Sequence, residues 1–420
     1  MKKLFLIISV LHMCLAAQAG DAKRLPDRDR FGFYIAKNRN WTRIPFELHS
    51  NLIIVRVLVN ESDTLRFILD TGVSNTIITN PGAFKHRLPT LARKVNITGA
   101  GEGGHLTASI AINNQIKVGG MQAAHHNVLI LDEDVLKLSE YVGTPIDGIF
   151  GYELFANFVV NIDFQRRELL VMTPKSYRYN KRKGDQYPLT IQDTKAYTDV
   201  MAVFEGNKLT PLRVVLDTGA GHALLLDRSR NLTDMPLPAK VIRAQLGRGL
   251  NGVINGNLGR IQKIRFGRYE VNNVLASFPD SIAFGMKLIN MPNRQGNVGC
   301  ELLRRFNVTF NYPDQYMVLK PVKRMMREQF EHDMSGVALR AKGDQLRTYY
   351  VDKLIPGSPA ALSGLREGDE VLFVDSYSAH ELTVSDIYKL LQKGEGKEIS
   401  LLVRRSGQLV MAQFALKRII

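Results

Sequence analysis

Apolar residues in this chain come in short runs broken by polar turns. Leu52–Val59 (LIIVRVLV) and Leu65–Leu69 (LRFIL) are rich in strand formers, and the polar stretch NESDT joins them. HLTASIAI (105–112), ELLVM (168–172) and YMVLK (316–320) read as further strands. Few runs of twelve or more residues show helical periodicity before residue 380. The pattern therefore predicts a mainly β protein. Pro174 and the basic stretch KSYRYNKRKGDQ (175–186) predict a linker, and PVKRMMREQFEHD (321–333) a second boundary.

The pattern also repeats. FILDTGVSN (67–75) returns as VVLDTGAGH (214–222), with Asp70 and Asp217 separated by 147 positions. GIFGYELF (148–155) returns as GNVGCELL (296–303), and GAGEGG (99–104) as GRGLNG (247–252), each at an offset of 148. Three landmarks sharing one spacing to within a residue describe a duplicated lobe of about 150 residues, an ordinary domain size. Gly99, Gly101 and Gly104, and again Gly247, Gly249 and Gly252, fit G-x-G-x-x-G. A dinucleotide loop needs a helix directly after it. HLTASIAI alternates like a strand and VINGNLGRI holds two more glycines, so a glycine-rich hairpin tip in each lobe is expected instead.

The first residues change the compartment. Lys2 and Lys3 precede an apolar stretch from Leu4 to Ala16, and Ala17-Gln18-Ala19 forms a small-x-small cleavage site. Residues 1–19 read as a signal peptide, which predicts export to the periplasm, the cell envelope or the medium. No integral membrane segment is expected after cleavage, because no later run reaches about eighteen apolar residues. The remaining chain divides into lobe one (20–178), lobe two (185–322) and a C-terminal domain (334–418). Cys300 would then be the only cysteine, so the fold must hold without an internal disulfide. The net charge of +16 is large. Its clusters at 175–183 and 320–327 lack the aromatic interleaving of a nucleic-acid site, so they read as solvated faces and no nucleic-acid partner is expected.

Each aspartate ends an apolar strand, where a carboxylate is costly unless it is paired. Two such strand ends meeting on a pseudo-twofold axis would supply the pair. Carboxylates about 3 Å apart cannot both ionise and hold one proton between them. One then acts as base toward a water while its protonated partner polarises a carbonyl. Thr71 and Thr218 can lock the two loops together by hydrogen bonds. Gly72 and Gly219 leave room for a backbone N–H to reach each carboxylate. No cofactor or metal is implied. The chain has no G-x-S-x-G, H-E-x-x-H or C-x-x-C, and His125-His126 read as exposed loop histidines.

Asp70-Thr71-Gly72 with Gly148-Ile149-Phe150-Gly151, duplicated as Asp217-Thr218-Gly219 with Gly296-Asn297-Val298-Gly299, resembles the pepsin and retropepsin aspartic proteases. The resemblance spans residues 44–322. It implies two similar β-barrel lobes flanking a pseudo-twofold cleft, with an apolar-apolar-Gly strand ending at Gly151 and at Gly299 behind each catalytic loop. GAGEGG resembles the glycine-rich flap of the retroviral enzymes. The implied activity is that of an aspartic endopeptidase acting on a polypeptide, with both half-sites in one chain so that a monomer suffices. Three positions depart from the pattern. Val73 and Ala220 stand where pepsin-like enzymes carry Ser or Thr, which removes the expected outer hydrogen bonds to the carboxylates. Asn297 replaces an apolar residue.

LIPGSPAALSGLREGDEVLFVDSYSA (354–379) reads as strand, turn, short helix, turn, strand, followed by a helical stretch at 383–392 and a hairpin turning at Ser406-Gly407. This resembles a small α+β PDZ domain of the kind attached to bacterial proteases, with Asp375-Ser376 in place of its usual Asn-Gly turn. The resemblance implies binding of a C-terminal peptide, with Gly336, Val337, Ala338 and Leu339 in the carboxylate loop. The alternative is an inactive bilobal scaffold whose PDZ domain alone does the binding, or whose groove is closed.

Overall fold

The computed structural model describes residues 32–37, 39–60, 64–84, 90–206, 208–228, 235–280 and 294–420. The signal segment and residues 61–63 of the NESDT turn lie outside them. Six strands of lobe one hydrogen-bond in a closed ring: Leu52–Val59, Leu65–Leu69, Gly148–Phe150, Ile77–Ile78, Met121–Leu131 and Leu106–Val118, which returns to the first. Lobe two closes the same ring with Lys195–Val203, Leu209–Asp217, Gly296–Gly299, Leu224–Leu226, Tyr269–Pro279 and Gly252–Phe266. In both barrels the aspartate strand runs parallel to the glycine-bounded strand beside it. That parallel pairing lets each glycine strand pass behind the catalytic loop. The fold is thus mainly β, with two six-stranded barrels, as the repeat predicts. Gly32–Ile35 adds an outer strand along Met121–Ala124 of the first barrel.

The barrels are joined by a shared sheet. Trp41–His49 pairs with Glu168–Met172, then Val159–Asp163, then Phe306–Asn311 of lobe two, then Tyr316–Pro321, then Asp185–Pro188. The lobes also share one continuous apolar core. The stretch expected as a linker is therefore folded. Tyr177 is buried, the Lys183 ammonium sits 4.4 Å over its ring, and Tyr179 packs on Tyr316. The tyrosines interleaved with the basic residues anchor it, which charge counting overlooks. The second connector is pinned too. The fully buried Arg305 donates to the carbonyls of Met325 and Glu328 and stacks 3.7 Å from the Phe330 ring. Burial lowers its pKa to about 10, which leaves it charged.

The C-terminal domain has its own core. Strands Val337–Lys342, Thr348–Leu354, Glu370–Val374, Glu398–Arg405 and Gln408–Ala415 form its sheet, with Tyr377–Ser378 at one side. Ser358 caps the helix Pro359–Leu362, and Thr383 and Asp386 form a reciprocal cap on Val384–Leu391. The last hairpin turns at Ser406-Gly407, both with positive φ, which suits a two-residue turn. One reading changes. His126 is not exposed, because its strand carries it inward, with Nε2 3.3 Å from a Glu153 carboxylate oxygen and its ring 5.0 Å from that of Phe33; His125 is exposed.

Candidate active site

The barrels present the ends of Leu65–Leu69 and Leu209–Asp217 to each other. Thr71 Oγ1 donates to the Leu216 carbonyl at 2.7 Å, and Thr218 Oγ1 donates to the Leu69 carbonyl at 2.8 Å. Each hydroxyl also accepts the other threonine's backbone N–H, at 3.1 and 3.0 Å. Both threonines are fully buried, so these crossed bonds fix the two loops without competition from water. Gly72 N–H donates to Asp70 Oδ1 at 2.6 Å, and Gly219 N–H to Asp217 Oδ1 at 3.1 Å. A Cβ on Gly219 would lie 2.1 Å from Asp70 Cγ, so only glycine admits this approach. On Gly151 it would meet the Val73 carbonyl at 2.4 Å, and on Gly299 the His222 carbonyl at 2.1 Å. Those two glycines let the rear strands lie against the catalytic loops.

Asp70 and Asp217 are in hydrogen-bonding contact. Burial, and then the charge of Asp217, push the Asp70 carboxyl well above the usual carboxylate range. The pair is not symmetric. Asn297 Nδ2 donates to Asp217 Oδ2 at 2.7 Å, and the Arg294 guanidinium in turn donates to Asn297 Oδ1. The position equivalent to Asn297 in lobe one is Ile149, since each pairs with the matching residue of its aspartate strand. A donor to one carboxylate favours that carboxylate's ionised form. The Asn297 donor thus stands on the Asp217 side, and the raised Asp70 carboxyl is the member that holds the shared proton. The outer hydrogen bond expected to be missing at Ala220 is supplied by Asn297 from the neighbouring strand. The signal was present in the sequence as an amide where an apolar residue belongs.

Over the pair lies a cleft of about 710 Å³ whose lining includes both aspartates, Gly99, Gly247 and Gly249. The two hairpin tips meet above it. Asn251 N–H donates to the Ala100 carbonyl at 2.8 Å, its side chain accepts from Gly99 N–H at 2.7 Å, and Gly103 N–H donates to the Asn251 carbonyl at 2.6 Å. Among the six glycines of the repeated motif, Gly101 and Gly249 make the closest approaches, where a Cβ would fall 2.6 Å from the Asn251 carbonyl carbon and 2.3 Å from the Ala100 oxygen. Gly104 and Gly247 have no heavy atom within 4 Å of such a Cβ. Gly252 has a φ of +103° beside the turn. Asn251 is the tip residue that sequence reasoning overlooked.

In the C-terminal domain, Gly336 and Val337 N–H donate to Asp333 Oδ2 at 2.5 and 3.0 Å, and Ser335 N–H donates to Oδ1 at 3.1 Å. Leu339 N–H donates to the hydroxyl of Tyr388, on the helix Val384–Leu391, at 2.9 Å. Four of the amides around the expected carboxylate loop thus have partners inside the domain. Ala338 lies between Val337 and Leu339 in the same strand. Among the described residues no group of three or more His, Cys, Asp or Glu side chains converges as a metal site, and no helix is long and apolar enough to cross a membrane.

Residues 55–154 and 200–302 match the family described as aspartyl protease, one segment in each lobe, and residues 350–405 match the PDZ domain family. The two lobes thus carry aspartyl protease family domains, and a PDZ domain follows on their C-terminal side. It is also similar to tight junction protein ZO-3. The dog protein is 32% identical over 99 residues, 24% of this chain and 10% of that one; the human protein is 31% identical over the same shares. The matched stretch thus spans about a tenth of those relatives.

Proposed function

We propose that the protein is an exported aspartic endopeptidase whose cleft hydrolyses polypeptides and whose PDZ domain binds a substrate or partner peptide. The observation that carries the catalytic reading is the Asp70–Asp217 contact at the floor of the cleft, with an unequal environment on its two sides. Asp217, ionised, takes a proton from a water bound between the carboxylates. Asp70, protonated, donates to the scissile carbonyl oxygen as the water oxygen bonds to its carbon. In the second half the proton on Asp217 passes to the departing amine, the C–N bond breaks, and Asp70 recovers its proton from the collapsing diol. The tips must part to admit a chain, which breaks their mutual hydrogen bonds.

The test compares cleavage of an unfolded protein by the wild type with Asp70→Asn and Asp217→Asn. Loss of activity on the order of 10⁴-fold in both variants is expected, because the carboxylates act as a unit. Equal cleavage by all three would leave the lobes as a scaffold. Export rests on the pattern of residues 1–19, and the N-terminal sequence of the mature protein checks it.

A further inference from the structure

The duplication allows the cleft walls to be compared residue by residue. In lobe one the register aligns Ile54, Ile68 and Ile149 across three neighbouring strands. In lobe two the same row reads Tyr197, Val215 and Asn297. Two residues before Ile54 and Tyr197, after matching two-residue turns with positive φ, stand Leu52 and Lys195. Asp147 and Gln295 make equivalent hydrogen bonds to Arg66 and Arg213 N–H, which makes Ile146 the counterpart of Arg294. Leu52, Ile54, Ile68 and Ile146 form an apolar cluster with Val142. Lobe two has placed an ammonium, a phenol, a guanidinium and an amide where lobe one has only carbon.

Lys195 and Arg294 both line the cleft. Among the described residues the Lys195 ammonium has a single long hydrogen bond, to the Asp193 carbonyl at 3.5 Å. Burial, and next the like charge of Arg294, work against its protonated form, opposed by Asp193 and the catalytic pair. Arg294 is partly buried and is balanced by the carboxylates of Asp217 and Asp227. A half-desolvated cation held against another cation is costly unless an anion joins it. The aspartates cannot serve fully, since they share a single negative charge. Deepening the proteolytic reading, we infer that the cleft selects a substrate with an apolar side chain on the Asp70 side and a carboxylate on the Asp217 side, received by Lys195 beside Arg294. The carboxylate belongs either to an Asp or Glu side chain or to a free C-terminus.

The experiment uses the full chain and a peptide set differing at one residue after a constant leucine: Glu, Gln, Leu or Lys with an amidated C-terminus, and Leu ending in a free carboxylate. The wild type is expected to favour Glu over Gln and Lys about 10- to 100-fold in kcat/KM, the worth of one charge-assisted hydrogen bond. Preference for the free C-terminus instead of internal Glu assigns the site to chain ends. Lys195→Met should collapse the Glu-to-Gln ratio, and Lys195→Glu should turn the preference toward Lys, which structural damage alone would not do. Equal rates for Glu, Gln and Lys, with no gain from the free C-terminal carboxylate, in an active wild type overturn the inference and leave the protease reading intact. Binding of the same peptides to Asp70→Asn, followed by fluorescence anisotropy, separates the two. Glu-selective, Lys195-dependent binding with no wild-type cleavage would keep the carboxylate site and remove the protease. Unselective binding would remove the site.

Discussion

Two aspartate systems in this molecule use the same local device and end differently. At the cleft and at the PDZ loop, a carboxylate accepts N–H groups from a glycine-containing turn. Asp333 collects the amides of Ser335, Gly336 and Val337 together with the Ser335 hydroxyl, and its oxygens are thereby satisfied. Asp70 and Asp217 receive fewer donors each and face one another. What distinguishes a chemical site from a structural one here is therefore not a perturbed acid, which both regions have. It is the second carboxylate, supplied by the duplicated lobe, and the lone pairs left available between the two.

The largest effect expected from breaking that comparison is on the structural side. Asp333→Ala leaves the amides of Ser335 and Gly336 and the Ser335 hydroxyl without their acceptor, while Val337 N–H keeps its bond to Ser335 Oγ at 3.2 Å. At about 1–3 kcal/mol for each buried group left unpaired, the C-terminal domain should lose at least about 3 kcal/mol. Denaturant unfolding of the full chain, followed by a probe in that domain, should show its transition moving to lower denaturant while cleavage of a small peptide persists. An unmoved transition would mean that Asp333 is dispensable and that the loop's amides are open to a ligand.

On the catalytic side, Asn297→Leu should reduce kcat about 10- to 100-fold, the worth of one hydrogen bond to a charged group. Its pH profile sharpens the point. Asn297 donates to the ionised form of Asp217, so removing it makes that carboxylate easier to protonate. The acid limb of activity should then move to higher pH. A rate loss with no movement of that limb would make Asn297 a packing residue.

How far these features could be read from the sequence depends on their range. The barrels were legible because strand patterning and the 148-residue offset are local and repeated. Asp70, Asp217 and their glycines followed from the same repeat. Asn297 appeared only as a misfit, because its partner lies on an adjacent parallel strand. The basic stretch 175–186 was read by charge, but its tyrosines decide its place. Asn251 and Asp333 act through backbone amides, and no residue pattern announces which amides a fold will bring within reach.

Stability offers a smaller, signed test of the pair. The folded pKa of Asp70 lies above its ordinary value of 3.8. Its contribution is thus fully present below that value and is lost as pH rises through the folded pKa. Asp70→Asn removes the titrating group, so at neutral pH the variant should melt a few degrees above the wild type. The gap should close in acid. A variant melting below the wild type at neutral pH would mean that no ionisation penalty is stored at the pair.

The smallest effect concerns the seam between the two regions compared. Helix Leu138–Val142 lines the cleft through Leu138 and Tyr141, and it and the Gly143 that follows it also abut the strand Val337–Lys342 and the start of the helix Val384–Leu391. Arg340, on the strand Val337–Lys342, donates to the Tyr141 hydroxyl at 2.5 Å, and its guanidinium lies 4.7 Å from the ring. A Cβ on Gly143 would fall 2.6 Å from Val384 Cγ1, at the start of the groove helix. From the other side Arg248, in the hairpin tip of lobe two, donates to the same hydroxyl at 3.1 Å. One phenol thus bridges tip, lobe and PDZ domain. Tyr141→Phe keeps the ring between the guanidiniums and removes both hydrogen bonds, a loss of about 1–2 kcal/mol divided between two contacts. Faster hydrogen exchange is expected both at 247–252 and at 337–342. Faster exchange at only one of these segments would show that the phenol holds two neighbours without coupling them.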